Sequence, residues 1–176
     1  MRIDESSIAA IPSPLPTFSV NEGLEVVFRL LGLKLTEAFG KSYSRHTDAD
    51  VIVEYLHPFL VTGLPASTLS ALAKVTSIFR NKDHIQALGM SPSTFYRVQR
   101  TPDERLTGSQ TSQTYQFAEL YAQALDVLGT REMADAWFQT PARNLSHQKP
   151  IDLITTQPGS QKVRQYLTQM DYGVYS

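Results

Sequence analysis

The feature that most constrains the fold of this chain is the spacing of its apolar residues, which recur at intervals of three and four positions. The clearest run precedes Gly129 and has apolar residues at Phe117, Leu120, Tyr121, Ala124, Leu125 and Leu128. This spacing places the side chains on one face of an α-helix. No segment has the period-two alternation, flanked by Asn-Gly or Asp-Gly turns, that predicts a β-hairpin. The pattern therefore predicts an all-α fold, a multi-helix bundle.

Residues 20–78 show the same helical spacing of apolar residues, after a proline-rich beginning. Residues 1–19 contain three prolines and predict a flexible leader. From Val20 the spacing predicts a first helix, with Asn21 as its N-cap, Gly40 as its end, and an apolar face of Leu24, Val27, Phe28, Leu31 and Leu35. A second helix is expected from about Asp48 to Leu60. A third follows Gly63-Leu64-Pro65, with inward residues Leu69, Leu72, Ala73 and Ile78.

Charge and composition narrow the classes of function. The formal net charge is -1 and the chain has no cysteine. Disulfides and thiolate metal sites are therefore excluded, and any contact with nucleic acid must come from a local basic patch. The N-terminal Met-Arg-Ile-Asp-Glu is unlike a signal peptide, and no segment approaches the roughly 18 apolar residues of a membrane helix. These observations favour a cytoplasmic protein.

Residues 81–100 have the pattern of a helix-turn-helix. Gly89 separates two short helical segments and suits a left-handed turn, which disfavours residues with a Cβ. Ser91 is a suitable N-cap for the second helix, and Pro92 suits its first position. The expected buried residues are Ile85, Leu88, Phe95 and Val98.

The outer face of that second helix is the candidate DNA-binding surface. It carries hydroxyl, tyrosine and arginine side chains that suit phosphates and base edges: Ser91, Ser93, Thr94, Tyr96, Arg97 and Arg100. Between Ser77 and Arg100 there are four basic residues and one acidic residue, a local net charge of +3. With two arginines on the helix, DNA binding is expected to require a dimer. The alternative is an ordinary helical corner with solvated charges.

The C-terminal region is predicted to contain two further helices after the long one. The first is capped by Thr130, carries Met133, Ala136 and Trp137 as its apolar residues, and ends at Thr140-Pro141. The last begins after Pro158-Gly159 and has an inward face of Val163, Tyr166, Leu167 and Met170. The chain ends Asp171-Tyr-Gly-Val-Tyr-Ser176.

These residues carry a resemblance to a known family. The ordered series comprises Ala136-Trp137, Thr140-Pro141, Asn144-Leu145, 150–154 (PIDLI), Thr156-x-x-Gly159, Val163 and 172–175 (YGVY). It resembles the C-terminal domain of the MbcA/ParS/Xre antitoxin family, in which an Xre-type helix-turn-helix precedes that domain. The resemblance covers about 110 residues from Leu64 onward. It departs from the family at Pro92, where relatives often have an arginine.

The resemblance implies four regions: a leader (1–19), an N-terminal helical extension suited to dimerisation (20–63), an Xre-like helix-turn-helix (64–107) and a toxin-binding domain (108–176). It also implies an antitoxin that inhibits a RES-type toxin, whose fold is related to NAD-using ADP-ribosyltransferases. The C-terminal tail of such an antitoxin enters or covers the active site of the toxin. The family further implies repression of its own operon, a homodimer and a larger toxin–antitoxin assembly.

The tail residues Tyr172, Gly173, Val174, Tyr175 and Ser176 are the candidate inhibitory site. An aromatic ring can occupy a slot shaped for nicotinamide or adenine, and a terminal carboxylate can pair with an arginine. The alternative is that Tyr172 and Tyr175 cover the last helix against the core.

The sequence contains no complete enzyme motif, and no cofactor or metal is expected. Gly40-Lys41-Ser42 lacks the first glycine of a phosphate-binding loop, since that position is Leu35. The four histidines have no metal-ligand spacing. Two alternatives to an antitoxin remain: a helix-turn-helix transcriptional regulator without a toxin partner, and a small enzyme with an unrecognised site.

Overall fold

The computed structural model describes residues 26–34 and 51–173 of this chain. The predicted leader, the N-cap Asn21, the helix end Gly40 and the tail residues Val174, Tyr175 and Ser176 lie outside this part. Residues 26–30 are helical, and this helix ends before Gly32, whose φ is +68°, instead of continuing to the predicted end at Gly40. The side chains of Val27, Phe28 and Leu31 are buried, as their spacing predicted.

The described part of the chain is mostly helical and contains no β-strand, only two isolated β-bridges, which confirms the all-α prediction for these residues. The α-helices are α1 (His57–Thr62), α2 (Ser67–Val75), α3 (Pro92–Val98), α4 (Gly108–Leu128), α5 (Arg131–Gln139), α6 (Pro150–Leu153) and α7 (Gln157–Asp171). A π-helix precedes α1 at Val51–Leu56, and 3-10 segments occur at Ile78–Arg80, Lys82–Leu88 and Arg143–Leu145.

Two expected helix ends and one expected inward residue differ from the structure. The second predicted helix continues to Thr62 and is a π-helix over its first six described residues. The third ends at Val75, so Ile78 lies in the following 3-10 segment. The prediction that Ala73 points inward was wrong, because the buried face of α2 is centred on Thr68, Leu69 and Leu72, which leaves Ala73 exposed.

Helix α4 is the central element of the core. Its N-terminus has a capping box, in which the Thr107 hydroxyl accepts the Gln110 N–H and the Gln110 side chain accepts the Thr107 N–H. Its buried aromatic residues join the middle of the chain to the C-terminal helices, since Phe117 lies 4.7 Å from Phe79 and 5.7 Å from Phe138, measured between ring centroids. Fully burying one such ring contributes about 2–3 kcal/mol.

The two long helices α4 and α7 run in the same direction. Glu119 and Arg164 form an ion pair at 3.0 Å, and one turn further along both helices the Gln123 side chain donates to the Thr168 hydroxyl. Helix α5 runs back along α4, because it follows α4 after a short turn and its Asp135 meets Tyr121. The C-terminal ends of α4 and α7 and the N-terminal end of α5 therefore lie at the same end of the molecule.

Candidate functional site

The corner between residues 82 and 98 has the geometry that its sequence predicted. Gly89 has a φ of +71°, and a Cβ there would lie 3.0 Å from the Gln113 side chain. The Ser91 hydroxyl accepts the Thr94 N–H at the start of α3. The four predicted core residues of the corner, Ile85, Leu88, Phe95 and Val98, are all buried.

The first arm of this corner is a 3-10 segment, whereas an α-helix was expected. A 3-10 helix has three residues per turn and so aligns residues at positions i and i+3. Ile85 and Leu88 are three apart and both fully buried, which suits this tighter winding. The packing of the corner is therefore kept while its local hydrogen bonding differs.

The six candidate DNA-binding residues lie together at α3, and all except the partly buried Thr94 are exposed. The Ser91 hydroxyl is within 3.0 Å of those of Ser93 and Thr94, so these three polar groups form one cluster at the N-terminal end of α3. The Tyr96 side chain is 41% exposed and its ring meets Phe95 edge-on. This surface can present hydroxyl and guanidinium groups to a ligand.

Glu104 also lies at this surface, and its contact with Arg97 of α3 was not predicted from the sequence. Its carboxylate accepts the Thr101 hydroxyl at 2.7 Å and pairs with Arg97 at 3.4 Å. The hydrogen bond from Thr101 and the charge of Arg97 lower the pKa of Glu104 against the opposing effect of desolvation. One of the two candidate arginines is thus paired with a carboxylate.

Asp135 connects the end of α2 to the C-terminal helices. Its carboxylate accepts hydrogen bonds from the Thr76 hydroxyl (2.6 Å), the Ser77 N–H (2.8 Å), the Ser77 hydroxyl (2.6 Å) and the Tyr121 hydroxyl (2.7 Å). Desolvation by burial raises the pKa of Asp135, but these bonds outweigh it and lower the pKa overall. Burial and the hydrogen bond to Asp135 raise the pKa of Tyr121. The contacts of Asp135 were not predicted from the sequence.

Helix α5 buries Ala134 and Phe138, which were not named from the sequence. Of the apolar residues that were named, Met133 is 54% exposed and Ala136 is exposed, while the partly buried Trp137 packs against the edge of the core. Phe138 packs between Phe117 and Tyr121, at ring-centroid distances of 5.7 Å and 5.9 Å.

The last helix begins earlier than expected. Thr156 is its N-cap and accepts the Gly159 N–H, so Pro158 and Gly159 lie within the first turn of α7. A Cβ on Gly159 would clash with the carbonyl oxygen of Leu153 in α6. Glycine in this position therefore allows the start of α7 to approach α6 closely.

The beginning of the candidate inhibitory tail lies in the described part of the chain. Tyr172 follows α7 and is 75% exposed, and Gly173 has a φ of +65°. Tyr172 therefore does not cover the last helix against the core, which excludes that alternative for this residue. Val174, Tyr175 and Ser176 lie outside the described residues.

A groove of about 730 Å³ lies between segment 26–29, the π-helix and helices α4 and α7. Its lining combines apolar residues such as Val26 and Leu56 with the paired charges of Glu119 and Arg164. Within residues 26–34 and 51–173, no three histidine or carboxylate side chains come close enough to hold a metal ion. In the same residues no helix has the length and apolarity needed to cross a membrane.

Comparison with known proteins identifies the C-terminal helices. Residues 123–173 match the family model of the antitoxin Xre/MbcA/ParS C-terminal toxin-binding domain. The chain is also 29% identical over 93 residues to a protein named "Antitoxin Xre" from Yersinia enterocolitica serotype O:8 / biotype 1B. That similarity covers 52% of this chain and 62% of the length of the relative. The C-terminal helices are therefore similar to the toxin-binding domain of the Xre/MbcA/ParS antitoxins.

Proposed function

We propose that this protein is the antitoxin of a type II toxin–antitoxin system and that it binds and inhibits a RES-type toxin in the cytoplasm. The observation that carries the proposal is the match of residues 123–173 to a toxin-binding domain. In this chain those residues form α5, α6, α7 and the end of α4, packed around buried aromatic side chains. The protein acts by binding another protein and not by catalysis.

The inhibitory contact is proposed to lie in Tyr172, Gly173, Val174, Tyr175 and Ser176. The exposure of Tyr172 supports this assignment, because an aromatic ring that is not packed on its own protein is free to enter a pocket of a partner. The glycine after it, at φ +65°, lets the chain turn away from the axis of α7.

A second activity, repression of its own operon, is proposed for the surface of α3. Five of its six candidate residues are exposed, and they include Arg97 and Arg100, which suit phosphates and guanine edges. Two arginines give weak binding as a monomer, so the repressor is proposed to act as a homodimer. The exposed corner also favours the alternative function, a transcriptional regulator without a toxin partner.

Co-expression separates these functions. The reading frame adjoining this gene would be expressed alone and then together with this protein. We expect the neighbour to arrest growth, and this protein to restore growth and to co-purify with it. A neighbour that arrests growth but is neither rescued nor bound contradicts the antitoxin function and leaves the regulator.

Deletion of Tyr172–Ser176 tests the tail. We expect the shortened protein to lose inhibition while it still co-purifies with the toxin, because helices α5 and α7 remain. A matched control replaces Gln161 by Ala on the exposed side of α7 and should inhibit normally. Undiminished neutralisation by the shortened protein contradicts the assignment.

The double substitution Arg97→Ala and Arg100→Ala tests the DNA-binding surface. We expect operator binding to be lost while toxin neutralisation is kept. Each phosphate contact that is removed should also reduce the slope of binding against salt concentration by about one. A double variant that binds with an unchanged salt slope shows that α3 is not the recognition helix.

A further inference from the structure

The toxin-binding domain exposes two large apolar side chains within its described residues. These are Met133, at 54% exposure, and Tyr172, at 75%. Tyr172 belongs to the tail that the proposed function already uses. Met133 lies on the first turn of α5, about 40 residues earlier in the chain, and has no role in that proposal.

The orientation of α5 and α7 brings Met133 toward the end of α7. The rings of Trp137 and Tyr166 lie 6.0 Å apart, which fixes the level at which the two helices meet. Met133 precedes Trp137 by four residues, and Met170 follows Tyr166 by four, so each lies one turn along the same face of its helix. Because α5 is antiparallel to α4 while α7 is parallel to it, Met133 and Met170 both lie one turn from this contact, toward the same end of the molecule.

The Trp137–Tyr166 contact and the methionine one turn beyond it on each helix make up what we call the α5–α7 apolar stripe: Met133, Trp137, Tyr166 and Met170. All except Met133 are partly buried, and Met133 is exposed. The stripe leads directly to Tyr172 at the end of α7. A flexible thioether and exposed aromatic edges suit a protein partner, since methionine adapts its shape to the surface that it meets.

We propose that the α5–α7 apolar stripe is the docking surface for the toxin, separate from the inhibitory tail. Met133 enters an apolar pocket of the toxin. The protein that binds to this stripe is the toxin, because the stripe lies in the toxin-binding domain and is continuous with the tail. This inference rests on the proposed function.

The substitution Met133→Glu tests the stripe without weakening the helix. Thr130 is the N-cap of α5 and its hydroxyl accepts the Met133 N–H at 3.2 Å, so a glutamate here completes a capping box. The thermal midpoint should therefore be unchanged or raised. In the complex, however, the glutamate would place a charge in an apolar pocket.

The measurement is the Kd for the purified product of the adjoining reading frame. We expect Met133→Glu to weaken binding about ten-fold or more. Met133→Leu should stay within about two-fold, because it conserves volume and apolarity. Gln161→Glu, which adds the same charge near the other end of α7, should also bind normally.

The outcomes distinguish this inference from the function on which it rests. Binding of Met133→Glu within about two-fold of the wild type overturns the docking surface and leaves the antitoxin function intact. Absence of binding by the wild-type protein overturns the proposed function and the docking surface together. Loss of binding in Met133→Glu alone, with an undiminished thermal midpoint, supports the stripe.

Discussion

At the scale of single residues, Asp135 shows how one carboxylate can hold distant parts of the chain together. Its partners Thr76 and Ser77 precede it by 59 and 58 residues, and Tyr121 precedes it by 14. Each hydrogen bond to a charged group contributes more than a neutral one, typically about 1.5–3 kcal/mol. The group therefore stabilises the contact between the end of α2 and helices α4 and α5.

Replacing Asp135 by Asn should lower the free energy of unfolding by about 2 kcal/mol. The amide keeps one acceptor oxygen but turns an N–H group toward hydroxyl and backbone donors. Tyr121→Phe is the graded control and should lower it by about 1 kcal/mol, since three of the four donors remain. Urea unfolding at neutral pH measures both values, and equal losses in the two variants would contradict a central role for the carboxylate.

The same carboxylate predicts a dependence on pH. The folded-state pKa of Asp135 lies below its ordinary value, so its stabilising contribution is present above the unfolded pKa of about 4. That contribution is lost as the pH falls through the folded-state pKa. Urea unfolding of the wild type and of Asp135→Asn should therefore converge as the pH is lowered below about 4. A difference that stays constant as the pH falls well below about 4 would contradict the assignment.

This residue also marks a limit of prediction from sequence. Local signals, such as the Ser91 N-cap and the Gly89 turn, act over two or three positions and were confirmed. The role of Asp135 was not predicted because the residues that donate hydrogen bonds to it are distant in the sequence. Their positions show no periodic pattern. Glu104 was missed for a related reason, since its pairing with Arg97 depends on the turn that brings α3 back toward residue 104.

At the scale of helices, the start of α7 depends on its close approach to α6. Gly159→Ala should destabilise the protein by about 2 kcal/mol, because the added methyl group clashes with the backbone oxygen of Leu153 and cannot be relieved by a side-chain rotation. Gly108→Ala is the matched control in the first turn of α4, where a Cβ would meet no atom within 4 Å. It should be neutral or stabilising by up to about 1 kcal/mol. Thermal unfolding of the two variants provides the comparison, and similar midpoints would contradict the packing.

The end of α4 and the start of α5 were predicted from the sequence, whereas the buried face of α5 was not. The spacing of apolar residues gave α4 its end at Gly129, and Thr130 its role as a cap. For α5 the apolar residues Met133, Ala136 and Trp137 were named without a buried face, and the buried residues are Ala134 and Phe138. A short helix with apolar residues around its circumference does not reveal which side meets the core, because that depends on its neighbours.

At the scale of the whole molecule, the boundary expected between 64–107 and 108–176 crosses a continuous core. Phe79 packs on Phe117, and the Leu64 N–H donates to the Thr111 hydroxyl at 3.1 Å. The two proposed regions therefore share buried surface and stabilise one another.

A fragment of residues 108–176 should accordingly unfold at a lower temperature than the full chain and without a sharp transition. Removing the first 107 residues exposes the faces of Phe117 and Tyr121 that the middle of the chain covers. Circular dichroism melting and binding of a hydrophobic dye measure the two effects. A fragment with the thermal midpoint of the full chain would instead show that the regions are independent.

The parallel course of α4 and α7 has a consequence for kinetics. Two helix carboxyl ends, each a partial negative charge, point the same way and are joined there by Asp126 and Asp171. The positive N-terminal end of α5 lies at the same end but carries both Arg131 and Glu132, so the three helix ends together form a negative pole beside the beginning of the tail. Such a pole orients a basic partner before contact, so the rate of complex formation should fall as salt is added while the rate of dissociation changes little.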